Sequence, residues 1–192
     1  MANGTLKVSN IQTSSGSGTI TVGASGETVD FSNGTITLNS AMKNTPAFMA
    51  NLSANQTSVS DDTFTKVQFD EEVVETDSAY DNSTNYRFTV PSGQGGKYYI
   101  TASVDVDSES NTNLDSATTQ IRKNGTYVYN IEYYLLSNPP RRVPVHTGVI
   151  MDLSASDYLE VFCRIEANDA SGGRFNGAGN GSFFGGYKLI GV

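Results

Sequence analysis

The sequence has little of several residue types, and each shortage narrows the classes of protein to which the chain can belong. Trp is absent, and the 192 residues include one Cys and one His. One cysteine, Cys163, excludes a disulfide within a single chain, and its place in an alternating apolar run predicts a buried side chain. The single histidine, His146, has no neighbouring ligand residues, so it predicts no metal site, and its alternative role is a pH-sensitive interface contact.

Charge and hydropathy exclude two classes of partner. The chain has 12 Lys and Arg against 20 Asp and Glu, a net charge of −8, and no basic stripe. This balance opposes binding to nucleic-acid phosphates. No apolar run approaches the length of a membrane span, and residues 1–5 lack the basic and apolar regions of a signal peptide. We therefore expect no nucleic-acid partner, no membrane insertion, and synthesis in a cytoplasm without export by a cleaved signal.

Alternating apolar residues are the main feature that is present. In residues 97–107, Tyr98, Ile100 and the apolar residues that follow them at every second position share one face, as in a half-buried strand. Asn124-Gly125 lies between two such runs and predicts a tight hairpin. No run is typical of a helix, so the pattern predicts an all-β sandwich or jelly roll. The predicted strands lie near 47–52, 63–69, 86–91, 97–107, 116–123, 126–136, 143–153, 157–167 and 182–191.

The first 45 residues differ in kind from the rest. A Gly-Thr pattern followed by apolar alternation recurs at 4–8, 18–22 and 34–38, at spacings of 14 and 16 residues. One such strand buries too little surface to offset its chain entropy, whereas three chains wound together can stack their strands around an apolar axis. We predict a β-repeat stalk or attachment segment over residues 1–45, and the alternative is a weakly ordered tail. The predicted anchoring residues are Leu6, Val8, Ile11, Ile20 and Val22.

Seven short blocks of residues 46–192 carry a family resemblance. The blocks are 46–48, 65–70, 80–81 with 88–91, 95–100, 121–125, 157–161 and 182–189. Their order and spacing resemble those of the globular head of the C1q and tumour necrosis factor superfamily, although Ser156-Asp157 replaces its Gly-Asp and residues 133–143 have no counterpart.

The resemblance implies a ten-stranded jelly roll that assembles as a homotrimer and has no catalytic activity or cofactor. Such heads bind other molecules through loops and grooves. Aromatic side chains on both faces of a strand also indicate that a second subunit covers one face. The predicted trimer-interface residues are Phe48, Tyr99, Phe162 and Tyr187.

The N-terminal segment resembles the start of tailed-bacteriophage fibre and appendage proteins. It combines the run Gly4 to Gln12 with Gly-Ser filler and a later Ile-Thr-Leu run. The resemblance implies a trimeric virion structural protein, a tail fibre or appendage whose head contacts the host surface and whose N-terminus binds other virion proteins. Such a protein is assembled in the host cytoplasm and released by lysis. One alternative is a capsid head fibre or decoration protein, and another is a cellular C1q-like adhesion or glycan-binding module.

Two groups of side chains are candidates for ligand contact. Arg141 and Arg142 in the extra loop, and Arg174 and Phe175 in the Gly-rich segment 171–181, are predicted to contact a host glycan or protein. A solvated loop is the alternative for the first pair. The carboxylates of Asp105, Asp107 and Glu109 are candidates for a calcium site, with a solvated acidic face as the alternative. Carboxylates are too plentiful for any pair to indicate glycoside hydrolysis, so no catalytic residue is predicted.

Overall fold

The structure is a computed structural model that describes residues 11, 22, 25–26, 28–29, 42–135, 137–177, 179 and 181–190. The chain separates into two units, Met1–Thr37 and Leu38–Val192. Two predicted anchoring residues are described and exposed, Ile11 and Val22. Leu6, Val8 and Ile20 lie outside the described residues, so the stalk and its anchoring role remain predictions.

All the named elements in the described part of the second unit are strands, as the alternation predicted. The described residues contain no helix that is long and apolar enough to cross a membrane. Thirteen strands follow one another along the described residues: β1 (Ala47–Asn51), β2 (Gln56–Val59), β3 (Thr65–Lys66), β4 (Glu71–Glu75), β5 (Tyr80–Asp81), β6 (Arg87–Thr89), β7 (Gly96–Asp107), β8 (Leu114–Lys123), β9 (Thr126–Tyr134), β10 (Arg142–Leu153), β11 (Tyr158–Ala167), β12 (Gly173–Phe175) and β13 (Phe183–Lys188).

These strands form two antiparallel sheets. Sheet A has the order β2-β12-β7-β13-β1-β4, with β10 on the other side of β7. Sheet B has the order β5-β6-β11-β8-β9, with β3 also paired to β11. The longest pairing joins β7 to β10 from Gly96 to Asp107. The two sheets face each other across one apolar core, which confirms the predicted jelly-roll class.

The core follows from period-two alternation in the central strands of the two sheets. Tyr98 and Ile100 of β7, and Leu159 and Val161 of β11 in sheet B, are fully buried in the same core. Phe48 belongs to this core: it is 3% exposed, and its ring centroid lies 4.4 Å from that of Phe88. Its side chain points between the sheets, which argues against the predicted contact with a second subunit, and that contact remains a prediction.

Part of the Gly-rich segment 171–181 forms a strand, β12, which lies between β2 and β7. A Cβ at Gly173 would collide with the carbonyl oxygen of Asp107, so glycine permits this close approach of two backbones. Phe175 is fully buried. This burial argues against the predicted contact of Phe175 with a host ligand, which remains a prediction.

Candidate functional site: an apolar sheet face, an aromatic edge and a charged apex

The side of sheet A that faces away from the core is mainly apolar. Its side chains come from the alternate positions of β1, β4, β7, β10 and β13, because successive residues of a strand point to opposite faces. Ile150 is 61% exposed and Tyr187 is 41% exposed. We call this surface the apolar face and define it by six residues: Met49, Val74, Tyr99, Ile150, Phe183 and Tyr187.

An open cavity of about 250 Å³ lies in the apolar face. The rings of Tyr99 and Tyr187 line it, with centroids 5.7 Å apart. Gly185 also lines it, and this glycine contributes no side chain between Phe183 and Tyr187. The Tyr99 hydroxyl crosses β10, since a Cβ built on Gly148 would lie 2.9 Å from it. Two glycines therefore shape the face, one by leaving space and one by admitting a ring.

The apolar face also carries the single histidine. The His146 ring is exposed, and its centroid lies 6.0 Å from that of Phe183. Its register partner on β7 is Ser103. The proposed role of His146 as an interface contact stays a prediction, and its position on this face is compatible with that role.

Strand β9 forms an aromatic edge of sheet B. It pairs with β8 alone among the described strands, so its other side presents unpaired backbone groups. Its sequence contains no Lys or Pro, the residues that commonly protect an edge from other chains. Instead Tyr127, Tyr129, Tyr133 and Tyr134 are between 38% and 69% exposed. We call the exposed side of β9 the aromatic edge, and its composition is typical of a surface that another chain covers.

The predicted interface residues do not share a surface. Tyr99 and Tyr187 are paired neighbours on the apolar face. Phe162 lies on the outer side of sheet B, where the Arg122 guanidinium carbon is 3.7 Å from its ring centroid. Sheet B packs with its other side against the core, so Phe162 lies on the opposite side of the sandwich from the tyrosines. Alternation identified the outward side of the strand correctly but did not identify the sheet to which the strand belongs.

Five charged residues form a cluster at the end of β7, which we call the charged apex. Arg142 donates hydrogen bonds to Asp105, one of them from Nε to Oδ1 at 2.7 Å. Asp107 accepts from Arg141 Nε at 2.9 Å and from Arg174 Nη2 at 2.8 Å. Both aspartates are 2% exposed. Arginine is the residue suited to such pairs, because its planar fork matches a carboxylate.

The electrostatics of the apex favour the charged form of Asp107. Burial alone would raise the pKa of Asp107, but hydrogen bonds from Arg141, the Glu109 amide and Arg174 outweigh burial and lower the pKa to about 2. Each buried carboxylate of the apex therefore already has a cationic partner. No group of three or more potential metal ligands converges in the described part of the chain. This geometry argues against calcium at Asp105, Asp107 and Glu109.

The same pairing changes the interpretation of the predicted ligand contacts. Arg141 and Arg142 are about half-exposed, and Arg174 is less so, but each one donates to a carboxylate of its own chain. Arg174 also reaches Glu109 Oε1 at 3.2 Å. The three arginines tie β7, β10 and β12 together. Their predicted contact with a host ligand remains a prediction, and such a ligand would compete with these internal pairs.

The environment of the single thiol makes nucleophilic chemistry unfavourable. Cys163 is fully buried in the core, as its place in the alternating run predicted, and burial raises the pKa of its thiol to about 12. The thiolate form, which is the nucleophile, is therefore scarce at neutral pH.

Comparisons with known proteins identify the fold family. The C1q domain family profile matches residues 47–189. The crystal structure of murine APRIL at pH 5.0 has a TM-score of 0.54 and 13% identity, over 74% of this chain and 98% of that chain. The structure of Eiger TNF from S. frugiperda has a TM-score of 0.53 and 13% identity, over 76% of this chain and 93% of that chain. A search of curated proteins finds no match. At such identity the structural likeness shows the fold alone.

Proposed function

The chain belongs to the C1q domain family, and from that premise we propose that it is a non-enzymatic binding protein that assembles as a homotrimer through its apolar face. The observation that carries the proposal is that one subunit has two separate exposed aromatic surfaces. One is the pair of tyrosines on sheet A, and the other is the aromatic edge on β9. Burying exposed apolar area stabilises an assembly by about 25 cal/mol per Å². Both surfaces remain exposed in the isolated subunit, so assembly offers a gain in free energy.

The apolar face and the aromatic edge are different surfaces, so contact between one subunit's face and its neighbour's edge is heterologous. Heterologous contacts close into a ring when the rotation between subunits closes. A ring of three subunits places every apolar face against a neighbouring subunit. The cavity between Tyr99 and Tyr187 then lies within reach of a side chain from the next subunit. The trimeric assembly of the fold family supports three as the number of subunits.

We further propose that the trimer is a virion protein, a tail fibre or tail appendage of a bacteriophage whose head contacts the host surface. The support is the sequence of residues 1–45, with its three Gly-Thr strand patterns and its resemblance to fibre proteins. Three weak sites on one rigid head, and several heads on one particle, give tight attachment without a strong single site. A capsid decoration protein and a cellular adhesion module are the competing assignments.

Light scattering after size exclusion tests the trimer. The unmodified chain is expected at three times its 20.5 kDa mass at several concentrations. Tyr187→Asp places a charge on the apolar face and is expected to yield monomers, while Tyr187→Phe is expected to remain trimeric. Gln68→Asp adds the same charge at an exposed residue away from that face and serves as the control. A monomeric unmodified chain, or a trimeric Tyr187→Asp variant, overturns the proposed assembly.

Immunogold labelling of particles tests the virion assignment. Labelling at the tail with few copies supports an appendage. Dense labelling of isolated heads supports a decoration protein instead. If purified particles carry no label and the protein is found on cell surfaces, the virion proposal is wrong and the adhesion assignment gains support.

A further inference from the structure

Two arginines on sheet B differ from every other arginine in the described part of the chain. Arg87 and Arg122 have no carboxylate within ion-pair distance, whereas the remaining four each pair with at least one carboxylate, although the chain has a net charge of −8. An acidic chain offers many internal partners for a guanidinium. These two cations are therefore left available to an external anion.

Both guanidinium groups are held in place by aromatic rings. The guanidinium carbon of Arg122 lies 3.7 Å from the Phe162 ring centroid, and that of Arg87 lies 4.3 Å from the Tyr158 ring centroid. Arg122 also donates from Nε and Nη2 to Gln120 Oε1 at 3.1 and 3.0 Å. Stacking on a ring is a favourable environment for a cation and fixes its plane. The loss of side-chain freedom on binding an anion is correspondingly small.

The register of sheet B places the two arginines in one row across three neighbouring strands. Phe88 of β6 is paired with Leu159 of β11, and Glu160, the next residue of β11, is paired with Arg122 of β8. Arg87 therefore lies on one side of Glu160 and Arg122 on the other. Adjacent strands are about 4.8 Å apart, so the two cationic positions are about 10 Å apart. Between them Glu160 is held by an ion pair with Lys66.

We propose that this row on the outer side of sheet B binds a carboxylate-bearing polysaccharide. Each arginine donates hydrogen bonds to one carboxylate of the saccharide. Glu160 between them is 7% exposed and already paired with Lys66, so the ligand contacts the two cations and spans the ion pair between them. The two cations are about 10 Å apart, so the ligand must carry carboxylates at regular intervals along an extended chain, as an acidic saccharide does. The proposal deepens the proposed attachment function, on which it rests.

The position of the row fits a trimer whose surface is used for attachment. The apolar face is on sheet A and the row is on the outer side of sheet B, so the contact that a subunit makes through its own apolar face leaves its row open. The contact with the other neighbour is at β9, the edge next to β8, so it approaches the row at Arg122, whose register partner is Tyr127. A trimer has three such rows, so it can bind a repeating polymer at several points and with higher avidity than one row alone. The row also lies away from the charged apex, where the arginines are already engaged.

Binding of polygalacturonate to the full chain tests the proposal, with neutral dextran as the matched polymer. The variants are Arg87→Gln, Arg122→Gln, the double variant and Arg122→Lys. Each arginine is expected to contribute roughly tenfold in affinity, since hydrogen bonds between charged groups have that strength. Arg122→Lys is expected to bind with intermediate affinity, because it keeps the charge and loses the fork. Lys43→Gln removes a charge from an exposed residue outside sheet B and is expected to leave affinity unchanged.

Three results overturn the proposal: polygalacturonate binding that is unchanged in the double variant, equal binding to dextran, or equal loss in the Lys43→Gln control. Tighter binding to poly-glutamate than to polygalacturonate also overturns it and assigns the row to a protein partner. Light scattering on the same samples reports the trimer independently. A trimer that fails to bind therefore refutes the saccharide site alone, and a monomer that binds refutes the assembly alone.

Discussion

Replacing Thr147 by Val is expected to stabilise the protein, although it removes a polar group. Thr147 is 1% exposed on the core side of β10, and its hydroxyl oxygen has no hydrogen-bond partner among the described residues. A buried hydroxyl without a partner costs about 1–3 kcal/mol. Valine has nearly the same shape and lacks the hydroxyl, so it removes this cost without opening a cavity. We expect the free energy of unfolding to rise by about 1–2 kcal/mol.

Thr76→Val is the matched control because it makes the same chemical change where the hydroxyl is used. Thr76 Oγ1 accepts a hydrogen bond from the Ala47 amide at 2.8 Å and donates to the Ala47 carbonyl at 3.3 Å. Its loss leaves that amide without an acceptor, so we expect a decrease of about 1 kcal/mol. The free energy of unfolding is therefore expected to rise in one variant and to fall in the other. Opposite signs test the reasoning more strictly than a difference in magnitude.

The assay is equilibrium unfolding in guanidinium chloride at one fixed protein concentration, since assembly makes apparent stability depend on concentration. The slope of the unfolding free energy against denaturant must stay constant for the two variants to be compared. A Thr147→Val variant that is destabilised refutes the reasoning. That result would mean that the hydroxyl makes a hydrogen bond in solution, for example to a buried water.

Acid is expected to destabilise the charged apex in a defined pH range. The pKa of Asp107 is about 2 in the folded chain, below its ordinary value of 3.8, so its contribution of about 2 kcal/mol is present above pH 4 and is lost as pH falls toward 2. Unfolding measured across that range is expected to be less pH-dependent in Asp107→Asn, and an unchanged profile contradicts this assignment. Cys163 is expected to resist alkylation at pH 8 until the chain unfolds, because its thiol is buried and has a pKa of about 12. Rapid labelling of the folded protein would show that the core opens locally.

The central strands were predictable because their own residues carry the signal. Alternation over residues 97–107 predicted β7 and its buried face, and Asn124-Gly125 predicted the hairpin between β8 and β9. Both hairpin residues adopt positive φ, 53° and 82°, as the tight turn requires. Four short strands, β2, β4, β5 and β12, were missed for the opposite reason. Glu71–Glu75 is almost entirely exposed, and it is a strand because its neighbour β1 pairs with it.

The site was less predictable because its chemistry is decided by pairs that are distant in sequence. Asp107 pairs with Arg141 and Arg174, which are 34 and 67 residues away. Sequence alone showed a loop rich in arginine and a strand ending in carboxylates, and it treated them as two independent sites. The strand order of sheet A brings them to one place, where each neutralises the other.

The two arginines of sheet B also owe their surroundings to strand order, and the sequence did not single them out as candidate ligand contacts. Arg87 and Arg122 lie inside ordinary strand patterns, where a charged residue is usually a solvated outward position. The register of sheet B shows that they flank Glu160, and a separate ion pair shows that Lys66 already occupies this carboxylate. Availability of a cation in an acidic protein is thus a property of the fold, because the topology decides which carboxylates each arginine can reach. The loop arginines acquire partners through β7 and β10, while the sheet B pair acquires aromatic rings and keeps its charge for an external anion.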